Sequence, residues 1–254
     1  MTEDTNTLEN RLNHPSFPQP SNPNQKVWRY MDLAKFTWLL SESKITLIRA
    51  DLFQDQHEGS LTYKAAELME LASTENGEHK LYSTLSDAYQ EIKGITYISC
   101  WHGNDHESDA MWRHYSGIGG LAIQTSYKSL ASSLEECPDT YIGAVKYIDY
   151  HSEVFEGGNI FNPCMHKRVS FEYEKEIRLV QIPFKYYKKR EITRPSVINI
   201  PWNCEEKIDS IIISPYSPTY YYEAVVAIVK SLAPRLSDKI KLSDLSRKPT
   251  YGVR

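Results

Sequence analysis

The stretch Phe171–Pro183, FEYEKEIRLVQIP, places two carboxylates two residues apart at the start of an apolar run and follows them with an arginine. Side chains along a strand alternate between faces, so Glu174, Glu176 and Arg178 share one face and Lys175, Ile177 and Leu179 the other. A carboxylate pair beside a cation on a rigid strand can orient a sugar hydroxyl or stabilise a developing positive charge. The same row can equally serve as a cross-strand salt-bridge ladder that fixes register. Both readings stand at the level of sequence.

Working outward, apolar runs with β-branched and aromatic residues predict further strands at Val27–Tyr30, ITLIR, GITYISCW, GGLAIQT, YIGAVKYIDY, VINI, IDSIIIS and KIKL. Leu33, Phe36, Leu39 and Leu40 recur at helical spacing after Asp32, a good N-cap residue, and helices are expected near 60–74, 79–92 and Met111–Tyr115. SPTYYYEAVVAIVKSL reads as a long helix with Ser217 as its cap and Pro218 in its first turn. Strands occur both in pairs and separated by helices, which predicts an α+β fold with a mixed, mainly antiparallel sheet and peripheral helices. With no repeat or linker in the middle, the expected organisation is a flexible arm over residues 1–25, one domain over 26–245 and a tail over 246–254. The arm is polar and holds four of the thirteen prolines.

At 41% hydrophobic and 24% charged residues, the 254-residue chain has the composition of a soluble globular protein. Its eighteen tyrosines and five tryptophans favour strands and aromatic-lined clefts over a helical bundle. A formal charge of -4 gives no global footprint for nucleic acid or an anionic membrane. Cys100, Cys137, Cys164 and Cys204 are widely spaced, without a C-x-x-C pair, no apolar run is long enough to span a bilayer, and from the polar, acidic first residues no secretory leader is expected. These features predict a cytoplasmic protein with free thiols and no membrane partner.

Arg29 in VWRY, Ser99 and Trp101 in ISCWH, and Glu176 in YEKEIR resemble, in type and order, the site residues of one class of ADP-ribosyltransferase. The chemistry accounts for the residue types. An arginine fork binds a pyrophosphate, a carboxylate stabilises the oxocarbenium-like ribose, and an aromatic covers the nicotinamide. The resemblance implies an ADP-ribosyltransferase-like split sheet with NAD as substrate. It implies Glu176 as catalytic glutamate, Glu174 as its companion towards a protein or nucleic-acid acceptor, Ser99 as supporting hydroxyl, Arg29 as anchor, and Tyr30 and Trp101 as pocket lining. Cys100 and Trp101 depart from that pattern, which has small hydroxyl residues after the serine. Over residues 27–245 the chain also resembles the bacterial domain of unknown function 2971 family. That likeness rests on WRY, FQDQHEG, SCWH with ESDAMWRHYSGIGGLAIQT, KR with FEYEKEIRLV, and IIISP. It implies a bacterial toxin or phage-defence setting, and together the two likenesses imply ADP-ribose transfer or NAD hydrolysis.

Other groupings point elsewhere. The histidines and cysteines around 100–114 and 164–166 lack the spacing of a metal site, so no metal is expected. Asp51, Asp55, His57 and Glu58 read as a capped turn closed by Gly59, with a metal-dependent nuclease as a remoter alternative. FKYYKKREITR, Phe184–Arg194, interleaves aromatics with basic residues and supports the rival reading of a non-enzymatic protein- or nucleic-acid-binding module.

Overall fold

The computed structural model describes residues 7–76, 81–117, 119–155, 159–187 and 193–249. The chain is α+β, and its strands pair in a mixed, mostly antiparallel way. It forms two compact units, each gathered from three stretches: Met1–Ser21, Thr46–Cys100 and Leu134–Ile200 in the first, and Asn22–Ile45, Trp101–Ser133 and Pro201–Arg254 in the second.

In the second unit, β1 (Lys26–Asp32) runs antiparallel to β4 (Gly120–Ser126), from Lys26 opposite Ser126 to Asp32 opposite Gly120. β4 in turn pairs with β10 (Ser210–Ile213), and β10 pairs in parallel with β11 (Ile240–Leu242). Asp32 caps the helix Leu33–Glu42 as expected, its carboxylate accepting the Lys35 N–H, and Phe36, Leu39 and Leu40 turn inward. Ser217 does not cap the last long helix. Its hydroxyl donates to the Gly120 carbonyl instead, and the helix Tyr220–Leu232 starts after Thr219 without a side-chain cap. Met111 and Trp112 are buried together, but Tyr115 is exposed, because Trp112–Ser116 form a π turn that shifts the expected helical face.

In the first unit, β2 (Lys44–Arg49) lies antiparallel to β3 (Tyr97–Gly103), with Ile48 opposite Ile98. The expected strand YIGAVKYIDY breaks at Val145 into β5 (Thr140–Ala144) and β6 (Lys146–Ile148). β6 pairs in parallel with β7 (His166–Arg168). β8 (Glu176–Gln181) pairs with β5, Gly143 facing Arg178, and also takes β3 as a neighbour. β9 (Val197–Pro201) ends the ladder.

Residues 7–21 of the supposed arm are packed into this unit. Arg11 is buried and donates to the carbonyls of Cys137, Thr140 and Leu134, and Phe17 sits in a core with Ile98, Phe161, Met165 and Val180. Backbone and side-chain bonds run from this segment to β5: Ala144 N–H to Pro18 O at 2.8 Å and Gln19 Nε2 to Ile142 O at 2.9 Å. A single large apolar side chain supplies the burial that the polar composition did not suggest, and Gly143 makes room for it. A Cβ at Gly143 would stand 2.6 Å from the Phe17 Cα.

Candidate functional site

Glu176 opens β8, but Glu174 is not on the strand. It ends the 3-10 turn Val169–Glu174, and Lys175 between them takes a left-handed conformation with φ 41°. This reversal still leaves Glu174 beside Glu176, so the two acids meet through a turn and not through strand periodicity. Glu176 and Arg178 lie on the same strand face as Val180, which belongs to the apolar core. The charged row is therefore a core face, and Arg178 is wholly buried.

Five buried charges close on one another there. Lys167 Nζ lies 2.5 Å from Glu174 Oε2, 2.9 Å from Glu176 Oε1 and 3.2 Å from Glu58 Oε1. Arg178 Nε donates to Glu176 Oε2 at 2.5 Å, Nη2 to Glu58 Oε1 at 2.9 Å and Nη1 to the Cys164 carbonyl at 2.5 Å. The Glu176 backbone N–H donates to the Tyr147 hydroxyl. Both oxygens of Glu176 are thus held by cations. Three carboxylates meet two cations, so a proton on one acid makes the cluster neutral.

The electrostatics select that acid. Burial, reinforced by the neighbouring Glu176 carboxylate, pushes Glu174 up to about 7. Burial opposes ionisation of Glu176 as well, yet Arg178 and Lys167 overcome it and hold Glu176 well below the usual carboxylate range. Burial alone would lower Lys167, but Glu176 and Glu58 raise it above an ordinary lysine. Two touching carboxyl groups driven to opposite protonation states are a pattern that acid-base catalysts use and that purely structural networks also produce.

The remaining expected residues fall in two sets. Ser99 belongs to the first unit, but on β3 it alternates with Ile98 and Cys100. Cys100 is the side chain whose thiol is pushed up by burial and by Glu176, so it, and not Ser99, faces the carboxylates. The buried Ser99 hydroxyl has no hydrogen-bond partner among the described residues. In the second unit, Arg29 places its guanidinium 5.6 Å over the Trp101 ring, and Trp101 in turn packs against Trp202. Tyr30 lies on the opposite face of β1 from Arg29. Its hydroxyl accepts the Ser108 N–H and its ring meets Trp112 edge-on at 4.7 Å, so Tyr30 is a core residue.

Glu58 and Lys167 complete the network, and sequence reasoning placed neither of them beside Glu176. The acidic turn that carries Glu58 is otherwise spoken for: Asp55 pairs with Arg168, and Asp51 with Arg49. A signal was present, since a glutamate and an arginine on a core strand each need counter-charges, but Glu58 is 120 residues from Arg178. Of the basic aromatic stretch, residues 188–192, with Lys188, Lys189 and Arg190, lie outside the described residues. Its Arg194 end is tied down. Arg194 pairs with Glu91, Arg49 donates to the Arg194 carbonyl at 2.7 Å, and Tyr97 donates to the Pro195 carbonyl at 2.9 Å. Phe184, in the short turn Phe184–Tyr186, is 57% exposed beside a groove of about 420 Å³ that Lys185, Tyr186, Ile198 and Asn199 also line.

No protein-family model, curated protein or solved structure matches the chain.

Proposed function

We propose that this protein works by binding a protein partner, with the groove at Phe184–Tyr186 as its recognition surface and the buried charge network as the internal frame of the same unit. One observation carries the reading. Phe184 is a large aromatic held out to solvent on a short 3-10 turn, whereas the oxygens of Glu176 are consumed inside the core. Among the described residues β9, which contributes Ile198 and Asn199 to the groove, pairs with β2 alone. An extended peptide can add to such an edge through main-chain hydrogen bonds while a pocket takes an alternate side chain. Lys185 favours an acidic residue in that peptide. Lys185 is the one cation among the described residues that line the groove, enough for a single acidic side chain and too few to track a run of phosphates. Selection from a random peptide library is expected to yield extended acidic sequences. Their binding is expected to weaken at least about tenfold in Phe184→Ser and in Lys185→Glu. Binders that ignore both substitutions would sink the reading.

A second reading, ADP-ribose transfer from NAD or NAD hydrolysis by an ADP-ribosyltransferase-like protein, is supported by the opposed protonation of Glu174 and Glu176. It requires Glu176 to be released from Lys167 and Arg178 when substrate binds. It predicts nicotinamide release from NAD that is abolished in Glu176→Gln. Purified protein that neither releases nicotinamide nor binds NAD removes it.

A further inference from the structure

The second unit contains a cleft that neither reading uses. Its volume is about 900 Å³, within the range of small-molecule sites. The floor comes from adjacent strands of one sheet face. Register sets Trp28 opposite Gln124 and Gln124 opposite Ser210, while Lys26 and Lys241 stand on the outer strands of the group, β1 and β11. Trp28 is fixed by its indole N–H, which donates to the Asn104 carbonyl at 2.7 Å.

One wall is the segment Asp105–Glu107 and the other is Ser243–Arg247, and a single carboxylate ties them together. Glu107 accepts from Trp112 Nε1 at 2.8 Å, from the Ser243 hydroxyl at 2.5 Å and from the Asp244 N–H at 2.6 Å. The charge balance follows. Glu107 has both oxygens engaged by donors, and Asp244 pairs with Arg247 at 2.9 Å. Lys241 spends one donor on the Ser210 hydroxyl at 3.0 Å, and an ammonium has three. Lys26 makes no ion pair among the described residues. The floor thus presents two lysines with amide and hydroxyl groups between them, and exposed Asp105 is the remaining acid of the walls.

We infer that this cleft binds a small organic oxyanion, its phosphate or carboxylate held by Lys26 and Lys241 and its polar body by Gln124 and Ser210. Two point charges flanking neutral donors suit an oxyanion that accepts several hydrogen bonds at once. The preformed walls reduce the ordering cost of binding.

Titration calorimetry of the full chain with ribose 5-phosphate, citrate and uncharged ribose tests the assignment. Ribose 5-phosphate is expected to bind with a Kd of about 1 mM or tighter, ribose not at all, and Lys26→Gln with Lys241→Gln to weaken the interaction at least about tenfold. Citrate binding in place of ribose 5-phosphate would assign the carboxylate class to the same lysines. The assignment is overturned if neither anion binds at about 20 mM, a concentration well above the expected Kd, or if the double variant, with an unchanged melting curve, binds as the parent does. Phe184→Ser is expected to leave this binding intact, which keeps the test independent of the peptide-binding proposal.

Discussion

The buried network of the first unit and the open cleft of the second are built from the same materials: lysines and glutamates on or beside strand ends. They differ in where the counter-charges lie. Both oxygens of Glu176 are held by cations inside the core, and the geometry leaves that acid nothing to offer a ligand while it is so held. In the cleft, Lys26 and Lys241 face solvent with donors to spare, and the acid that closes the walls is satisfied by neutral groups. Charge type does not mark a site; unspent hydrogen-bonding capacity at an accessible position does.

The largest effect that would test this contrast is the loss of one network cation. Arg178→Met leaves three buried acids to share the single cation Lys167 and is expected to cost about 3–5 kcal/mol, read as a lower urea midpoint. A change under about 1 kcal/mol would put the network near solvent and undo the comparison. The next effect is a pH dependence. Glu174 is raised in the folded state to about 7 from 4.5, so its contribution is fully present below pH 4.5 and is lost as pH rises through about 7. Glu176 is lowered, so its contribution is present above the ordinary carboxylate value and is lost only in strong acid. Glu174→Gln, which keeps the shape of the protonated acid, is therefore expected to be least damaging at pH 8 and to flatten the stability profile between pH 5 and 8. A variant that tracks the parent across that range places the proton elsewhere. The smallest effect belongs to the cleft. Lys26→Gln is expected to change stability by no more than about 0.5 kcal/mol, and a larger loss would show that the lysine is part of the frame.

Much of the fold was legible, because alternation and capping are local. The strands around Arg29, Ser99, Leu121 and Leu179 and the Asp32-capped helix all stand close to where the sequence puts them. The candidate site was less legible. Nothing in EYEKE announces that Lys175 turns left-handed, so the strand was read two residues too early. The choice of Ser99 as the partner of Glu176 followed a motif, whereas strand alternation hands that place to Cys100. Phe17 was hidden in a proline-rich polar segment, and its burial depends on the space left by Gly143.

The sequence by itself determined which residues alternate on β8, that Asp32 caps the helix after β1, and that two acids and an arginine would be close neighbours, since these follow from backbone geometry over a few residues. Only the tertiary structure decided that this row is a core face completed by Glu58 and Lys167, and that the cleft lysines stay in water. In the network a buried charge and the counter-charge that offsets its cost come from segments more than a hundred residues apart, and in the cleft the two lysines come from distant stretches of the chain.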